Sequence, residues 1–435
     1  MKMSISKKPY KGCRDLFPEL KRAQDYMFDK MKKAAHAFGY EPYDGPMLEE
    51  VDLYRAKSGQ ELINDQIYSF IDRGAREVAI RPEMTPTVAR MVAQVHRESP
   101  KPIRWYSIPN LMRYERPQRG RLREHWQFNV DLFGPETIYN EIEILQVITH
   151  LFNSYGANST HFEILFNNRQ FIDFFFSKTL ELNEKKSYDL YKLIDRAKKL
   201  KKEKFDEQLA SLNLESKNTA LIREYLDLKS IEEFKSFSEK ISFPNEKWDL
   251  YGFLLAGDAA GLTPYLVFDP TIVRGLDYYT GLVFEVFDKH PDNRRALCGG
   301  GAYAWLMKVF NEEQLPGVGF GLGDVTLKDF LESHGLLPDF SNGDNILFLG
   351  TEDESCEAEV IKLANEIRDK NISVINSPTK LKFKKLLQQA SKSGSRFLAI
   401  IQKETNKVKL KNLRSNDQHI FELSNIREII TELNK

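Results

Sequence analysis

The 435 residues predict an α+β domain built on an antiparallel sheet, interrupted by a helical insertion and followed by a small α/β domain. Three observations carry this reading. Short, alternating, turn-bounded runs such as 66–72 and 103–108 read as antiparallel strands. From about 168 to 250 the chain turns rich in Lys, Glu, Leu and Phe and poor in Gly and Pro, with a mostly helical period. Beyond the linker Ser341-Asn342-Gly343-Asp344-Asn345, strand-like and helix-like segments alternate, which indicates a mainly parallel sheet. The expected boundaries are 1–167 and 251–338 for the two parts of the first domain, 168–250 for the insertion and 345–435 for the last domain.

The elements follow in order. Leu20, Ala23, Met27, Met31, Ala34 and Phe38 recur at three- and four-residue steps, one apolar helix face that Gly39 stops. A second helix spans 136–155, with Ile138, Ile142, Leu145, Ile148 and Phe152 on its face and Gly156 at its end. Strand-like, glycine-rich sequence returns at 265–267 and continues to 320. In the last domain, strands are expected at 346–349, 372–375, 397–401 and 407–413, and helices at 356–369, 381–391 and 426–433.

A hydrophobic fraction of 41% and a charged fraction of 29% indicate a soluble globular chain. No apolar run reaches the roughly 18 residues of a membrane helix. The N-terminus is basic without an apolar run behind it, which predicts no secretory signal. Cys13, Cys298 and Cys356 are far apart and form no CxxC, and the eight histidines form no HExxH. A reducing cytoplasm without disulfides or protein-bound zinc is the expectation. The 63 basic and 63 acidic residues balance, yet between Leu381 and Arg414 ten basic residues face a single acid, Glu404. Such a face attracts a polyanion even on a neutral molecule, although a merely solvated lysine surface has the same composition.

The segment 113–123 holds five arginines in eleven residues, with Pro117 and Gly120 arguing for two strands joined by a loop. Arginine's planar fork matches phosphate oxygens in pairs, so the cluster suits a triphosphate. In the strand-like run that follows, Gln127, Asn129 and Asp131 share one face, opposite Trp126, Phe128 and Val130. Three polar residues on one face are costly in a core unless something binds them. Further on, Arg274-Gly275-Leu276-Asp277-Tyr278-Tyr279-Thr280-Gly281 sets two glycines around a turn and two tyrosines before a strand, a tyrosine-rich hairpin or one wall of a polar pocket.

These residues resemble the histidyl-tRNA synthetases, a family of class II aminoacyl-tRNA synthetases. The segment 113–123 is similar to class motif 2, the helix ending at Phe38 with Pro46 after it is similar to motif 1, and 274–281 is similar to the family's signature string. The resemblance implies a class II synthetase fold with a C-terminal anticodon-binding domain. It implies ligation of L-histidine to tRNA(His) through a histidyl-adenylate, with ATP and its Mg²⁺, in a homodimer. It assigns Arg274 and Arg113 to catalysis and gives histidine Glu83, Met84, Thr85, Arg113, Gln127, Asp131, Arg274, Tyr278 and Tyr279. It gives ATP Arg113, Glu115, Arg121, Arg123 and His125, and tRNA Lys382, Lys384, Lys385, Arg396 and Lys409.

The chain departs from the family pattern in three places, one of them His125, which stands where an aromatic, usually Phe, stacks on adenine. After Gly299-Gly300-Gly301 it reads Ala302, Tyr303 and Ala304 where Arg, Tyr and Asp are usual. In the third class motif Asp324-Val325-Thr326-Leu327 replaces a run ending Glu-Arg-Leu, so the arginine that normally grips the γ-phosphate is missing at Thr326. Either Arg121 or Arg123 compensates, or ATP is bound differently. Other readings remain: a histidine-sensing regulatory subunit on the same fold, a class II synthetase for another amino acid, and a plain nucleic-acid-binding protein.

Overall fold

The computed structural model describes residues 5–56, 62–244, 246–273, 279–304, 306–341, 346–377 and 379–434. They form two compact units, one of 1–15 with 24–337 and one of 16–23 with 338–435.

In the first unit the strands β1 (Ile103–Ser107), β2 (Glu124–Phe133), β3 (Phe162–Asn168), β4 (Leu266–Phe268), β5 (Tyr279–Asp288), β6 (Ala296–Tyr303) and β7 (Gly317–Gly323) lie in the order β1-β2-β7-β6-β5-β3-β4. Every junction is antiparallel except β3 with β4. Glu41–Pro42 runs parallel to β1 at the edge, and Asn110–Met112 pairs with the start of β2.

Alternation along these strands gives the sheet two unlike faces. Phe128, Val130, Val318, Phe320, Leu322, Phe284, Val286, Ile164 and Phe166 point to one side and are buried in the main core. The helix Ile138–Ser154 covers that side with Ile142, Leu145, Ile148 and Phe152, each 5% exposed or less. Burying each such side chain stabilises the unit by about 1.5–3 kcal/mol. The opposite face carries Gln127, Asn129 and Asp131, the alternate glycines of β7, and Glu285.

Parallel neighbours cannot be joined by a tight turn, so β3 and β4 require a crossover. The lysine- and phenylalanine-rich stretch supplies it, among the described residues as six α-helices from Arg169–Phe174 to Leu250–Ala259. These helices share the main core instead of building one of their own. Phe234 stacks on Phe268 of β4 at 4.1 Å between ring centroids, and Phe253 meets Phe166 of β3 at 5.5 Å.

The first helix runs Pro18–Ala37, close to its apolar period. The 113–123 segment differs from the expected pair of strands. It is a loop between Asn110–Met112 and β2, closed by one bridge between Gln118 and Arg121.

In the second unit β8 (Leu347–Thr351), β9 (Val374–Asn376), β10 (Phe397–Gln402), β11 (Lys407–Asn412) and β12 (Gln418–Glu422) lie in the order β9-β8-β10-β11-β12. The sheet is mixed, not mainly parallel. β8 is parallel to both neighbours, but β10, β11 and β12 are antiparallel. Four residues separate β10 from β11, too few for a crossover, so the chain folds back as a hairpin. Strand β12 escaped the sequence reading because four of its five residues are exposed and carry no apolar period.

Candidate functional site

The polar sheet face begins with a close approach. In β7 a Cβ on Gly319 would lie 2.4 Å from Asp131 Oδ1, and one on Gly321 would lie 2.2 Å from Gln127 Nε2. At Gly319 a side chain would also meet the Val130 carbonyl at 2.6 Å, and at Gly321 it would displace Gln127, because the Asp131 and Gln127 side chains lie flat across the neighbouring strand. Tyr279 lies over Gly301 and Tyr303 over Gly317 in the same manner, with 2.7 and 2.5 Å to a hypothetical Cβ. Glycine at alternate positions therefore clears a shallow floor on which polar side chains of three strands rest.

Asp131 is 2% exposed. The Tyr303 hydroxyl donates to its Oδ1 at 2.7 Å, while its Oδ2 has no partner among the described residues. Burial pushes its carboxyl up to about 7, and the Tyr303 hydrogen bond only partly opposes this. Asn129 Oδ1, opposite Ser107 across β1 and β2, is likewise buried without a partner among the described residues, while the Tyr43 hydroxyl is buried next to Ser107. Buried polar atoms are normally satisfied, so a cluster left open on one face marks a place for a polar ligand. Sequence reasoning missed Tyr43, Ser107 and Tyr303. Only Tyr303 carried a signal, as the tyrosine after three glycines.

A cleft of 940 Å³ opens on the same face. It brings together Arg113, Glu115, Arg121, His125 and Gln127, all expected from the sequence. Arg113 donates from Nε to the Pro82 carbonyl at 2.8 Å, which ties it to the segment holding Glu83 and Thr85. That segment is fixed in turn by Arg81, whose Nη1 donates to Asp44 Oδ1 and the Gly45 carbonyl, both at 2.7 Å. Glu83 is 6% exposed, and Thr85 starts the helix Thr85–Val95. Met84 turns fully inward, so its side chain is part of the packing beneath the segment. His125 is held neutral, its pKa pushed down to about 3 by burial and by Arg113, Arg14 and Arg121.

Arg121 is ion-paired with buried Glu115, which orients the loop. Arg123, expected at ATP, is instead placed at the base of the loop, outside the residues that line the cleft. It is 8% exposed, with its guanidinium 4.0 Å from the Tyr114 ring centroid and hydrogen bonds to the Glu115 carbonyl and the Tyr10 hydroxyl. The aromatic and carbonyl partners hold its guanidinium at the base of the loop. Arg274 and Tyr278 lie outside the described residues. Among the described residues no group of three His, Cys, Asp or Glu side chains is arranged to hold a metal ion.

In the second unit Lys382, Lys384 and Lys385 are exposed at the start of the helix Phe383–Lys392, whose first turn has no acid. Cations there oppose the helix dipole, so their placement costs stability. Lys409 and Lys411 pair with Ile400 and Leu398, which belong to the apolar face under that same helix. The lysines of β11 thus share a face with the helix. Arg396 is half-buried, with its guanidinium 4.9 Å from the Phe397 ring centroid.

Comparison with known proteins identifies the family. A family model described as histidyl-tRNA synthetase matches residues 12–326, and one described as anticodon binding domain matches 345–433. The histidine–tRNA ligase of Leptospira biflexa serovar Patoc is 43% identical over 431 residues, 98% of both chains. The crystal structure of histidyl-tRNA synthetase from Nostoc sp. PCC 7120 is similar with a TM-score of 0.83 at 22% identity, covering 99% of this chain and 100% of that one. A Bacillus halodurans structure titled ATP phosphoribosyltransferase regulatory subunit/histidyl-tRNA synthetase has a TM-score of 0.75 at 21% identity, covering 89% and 97%. Likeness at such identities is one of fold, so the residues of the site must separate the two activities in that title.

Proposed function

This chain belongs to the histidyl-tRNA synthetase family, enzymes that charge tRNA(His) with histidine for translation, and from that premise we propose how its own residues perform the reaction. The observation that carries the proposal is the polar floor of β2 and β7, where Gln127 and Asp131 lie flat over glycines and lead into an arginine-lined cleft.

Histidine lies on the floor with its imidazole N–H donated to the open Oδ2 of Asp131. Gln127, Glu83 and Thr85 take its α-amino group, and Tyr278 and Tyr279 frame the ring. Its carboxylate then faces the cleft beside Arg113. ATP enters as the magnesium complex, its adenine against neutral His125 and its phosphates beside Arg113 and Arg121, with Glu115 at ATP through its pair with Arg121. A carboxylate oxygen attacks the α-phosphorus in line, the bond to the β-phosphate oxygen breaks, and pyrophosphate leaves. No side-chain nucleophile is needed. Positioning and fixed positive charge at the α-phosphate lower the barrier, and Arg113 and Arg274 supply that charge. In the second step a terminal ribose hydroxyl of tRNA attacks the adenylate carbonyl, AMP departs, and the adenylate phosphate accepts the hydroxyl proton.

The lysine face of the second unit binds the anticodon arm, and the resemblance of 18–37 and Pro46 to motif 1 supports a homodimer. Three free thiols suit a reducing cytoplasm. The decisive experiment is exchange of labelled pyrophosphate into ATP with each amino acid in turn. Exchange should depend on histidine. Histidine binding without exchange would leave only the sensor reading.

A further inference from the structure

The cleft solves a problem that the sequence posed. The helix Asp324–Ser333 directs no cation into the cleft from its first turn, and the Thr326 hydroxyl is spent on the carbonyls of Leu297 at 3.0 Å and Gly323 at 3.1 Å. A different residue occupies the space next to it. Gly120, at the tip of the arginine loop with φ +70°, has Arg295 Cδ 3.0 Å and Thr326 Cγ2 3.4 Å from the place of a Cβ. The Arg295 stem is thus pinned between the loop tip and the start of the helix.

The arginines lining the cleft differ in what they already hold. Arg113 donates to the Pro82 carbonyl. Arg119 donates to Asn293 Oδ1 at 3.0 Å and Ser333 Oγ at 3.2 Å, and Arg121 pairs with Glu115. Arg294 is exposed. Arg295 is half-buried with no hydrogen bond or ion pair among the described residues. Burial and the Arg121 guanidinium push its pKa down, opposed by Glu115. A desolvated guanidinium next to a second one is an unfavourable arrangement that a polyanion relieves.

We propose that Arg295, entering from the start of β6 beside Gly120 and Thr326, grips the outer phosphates of ATP and stabilises the departing pyrophosphate. It stands in for the arginine missing at 326, and neither Arg121 nor Arg123 takes that part. The proposal rests on the ATP reading of the cleft. Its role is confined to the phosphates that leave, so it predicts a selective defect.

The test is R295Q in the full-length protein, assayed by histidine-dependent exchange. KM for ATP should rise ~10- to 100-fold and inhibition by inorganic pyrophosphate should weaken in step, the effect of losing a charge-assisted pair. KM for histidine should stay within about twofold, as should binding of a non-hydrolysable histidyl-adenylate analogue, which carries no outer phosphates. R295K, which keeps the charge but not the fork, should fall between. An unchanged KM for ATP in R295Q overturns the assignment while leaving the synthetase reading intact. Loss of analogue binding together with ATP binding also overturns it, because Arg295 would then be structural. Absence of exchange in the unmodified protein would instead sink the reading on which it rests.

Discussion

The cleft of the first unit and the lysine face of the second both concentrate positive charge, and both are proposed to meet phosphate, yet they are built from different residues. The cleft uses arginines whose forks are fixed by carbonyls, by Glu115 and by Ser333. The second unit uses lysines at a helix start and on β11, exposed or half-buried. The chemistry explains the division. A small triphosphate must be held with its α-phosphorus in line, which rewards a rigid, bidentate and weakly hydrated cation. A long polyanion needs a field, and strongly hydrated point charges supply it with little geometric demand.

Removing cleft charge should therefore have the largest effect. R113A and R274A should each slow adenylate formation by about 10²- to 10³-fold in single-turnover experiments, and weaken histidine binding much less. Equal loss of both would reduce these arginines to binding residues and erase the contrast.

The pocket floor comes next. D131N should raise KM for histidine ~10-fold or more, since the imidazole loses a charged acceptor. The sign of the pH dependence follows from a carboxyl raised to about 7. Above that pH the carboxylate is ready to accept. Below it both carboxyl and free imidazole carry a proton, and one must leave on binding, so affinity falls. KM for histidine should rise as pH drops below about 6.5 in the unmodified protein and stay flatter in D131N. A parallel rise in both would show that Asp131 does not face the ring.

The triple change K382A/K384A/K385A should leave exchange intact while raising KM for tRNA by about 5- to 10-fold and lowering the salt slope of binding by about 2. Because these lysines oppose the helix dipole, the variant should be slightly more stable. A matching loss of exchange would mean that they support folding instead of tRNA.

The smallest effect concerns a buried acid outside the cleft. Glu141 lies under Leu282, whose N–H donates to it at 3.2 Å, and burial raises its pKa to about 8. A carboxyl raised in the folded state favours folding when protonated, so its cost grows as pH climbs from about 4.5 to 8. E141Q keeps the hydrogen-bond acceptor and should raise Tm by about 2–6 °C at pH 8, with the gain fading toward pH 5. A gain independent of pH would mean packing rather than ionisation.

Sequence periodicity sufficed for elements that bury one face. The helices Pro18–Ala37 and Ile138–Ser154 and the alternation of β2 follow from where their apolar residues fall, since hydrophobic burial is local in its demands. The composition of 168–250 announced helices, but not that they are a crossover sharing the main core. That depends on the pairing of β3 with β4. Strand β12 and the hairpin before it depend on neighbours rather than on their own pattern.

By itself, the sequence determined the family, the amino acid and the two chemistries of positive charge, because motifs and residue types are local. Tertiary structure alone decided which glycines lie under Asp131 and Gln127, since register sets that. It turned Arg123 into loop support and left Asp131 Oδ2 and Asn129 Oδ1 without partners among the described residues. It also brought Arg295 against Gly120 and Thr326, residues 175 and 31 positions away in the chain. No spacing rule carries such a meeting. It exists only because antiparallel pairing lays β6 and β7 side by side beneath the arginine loop.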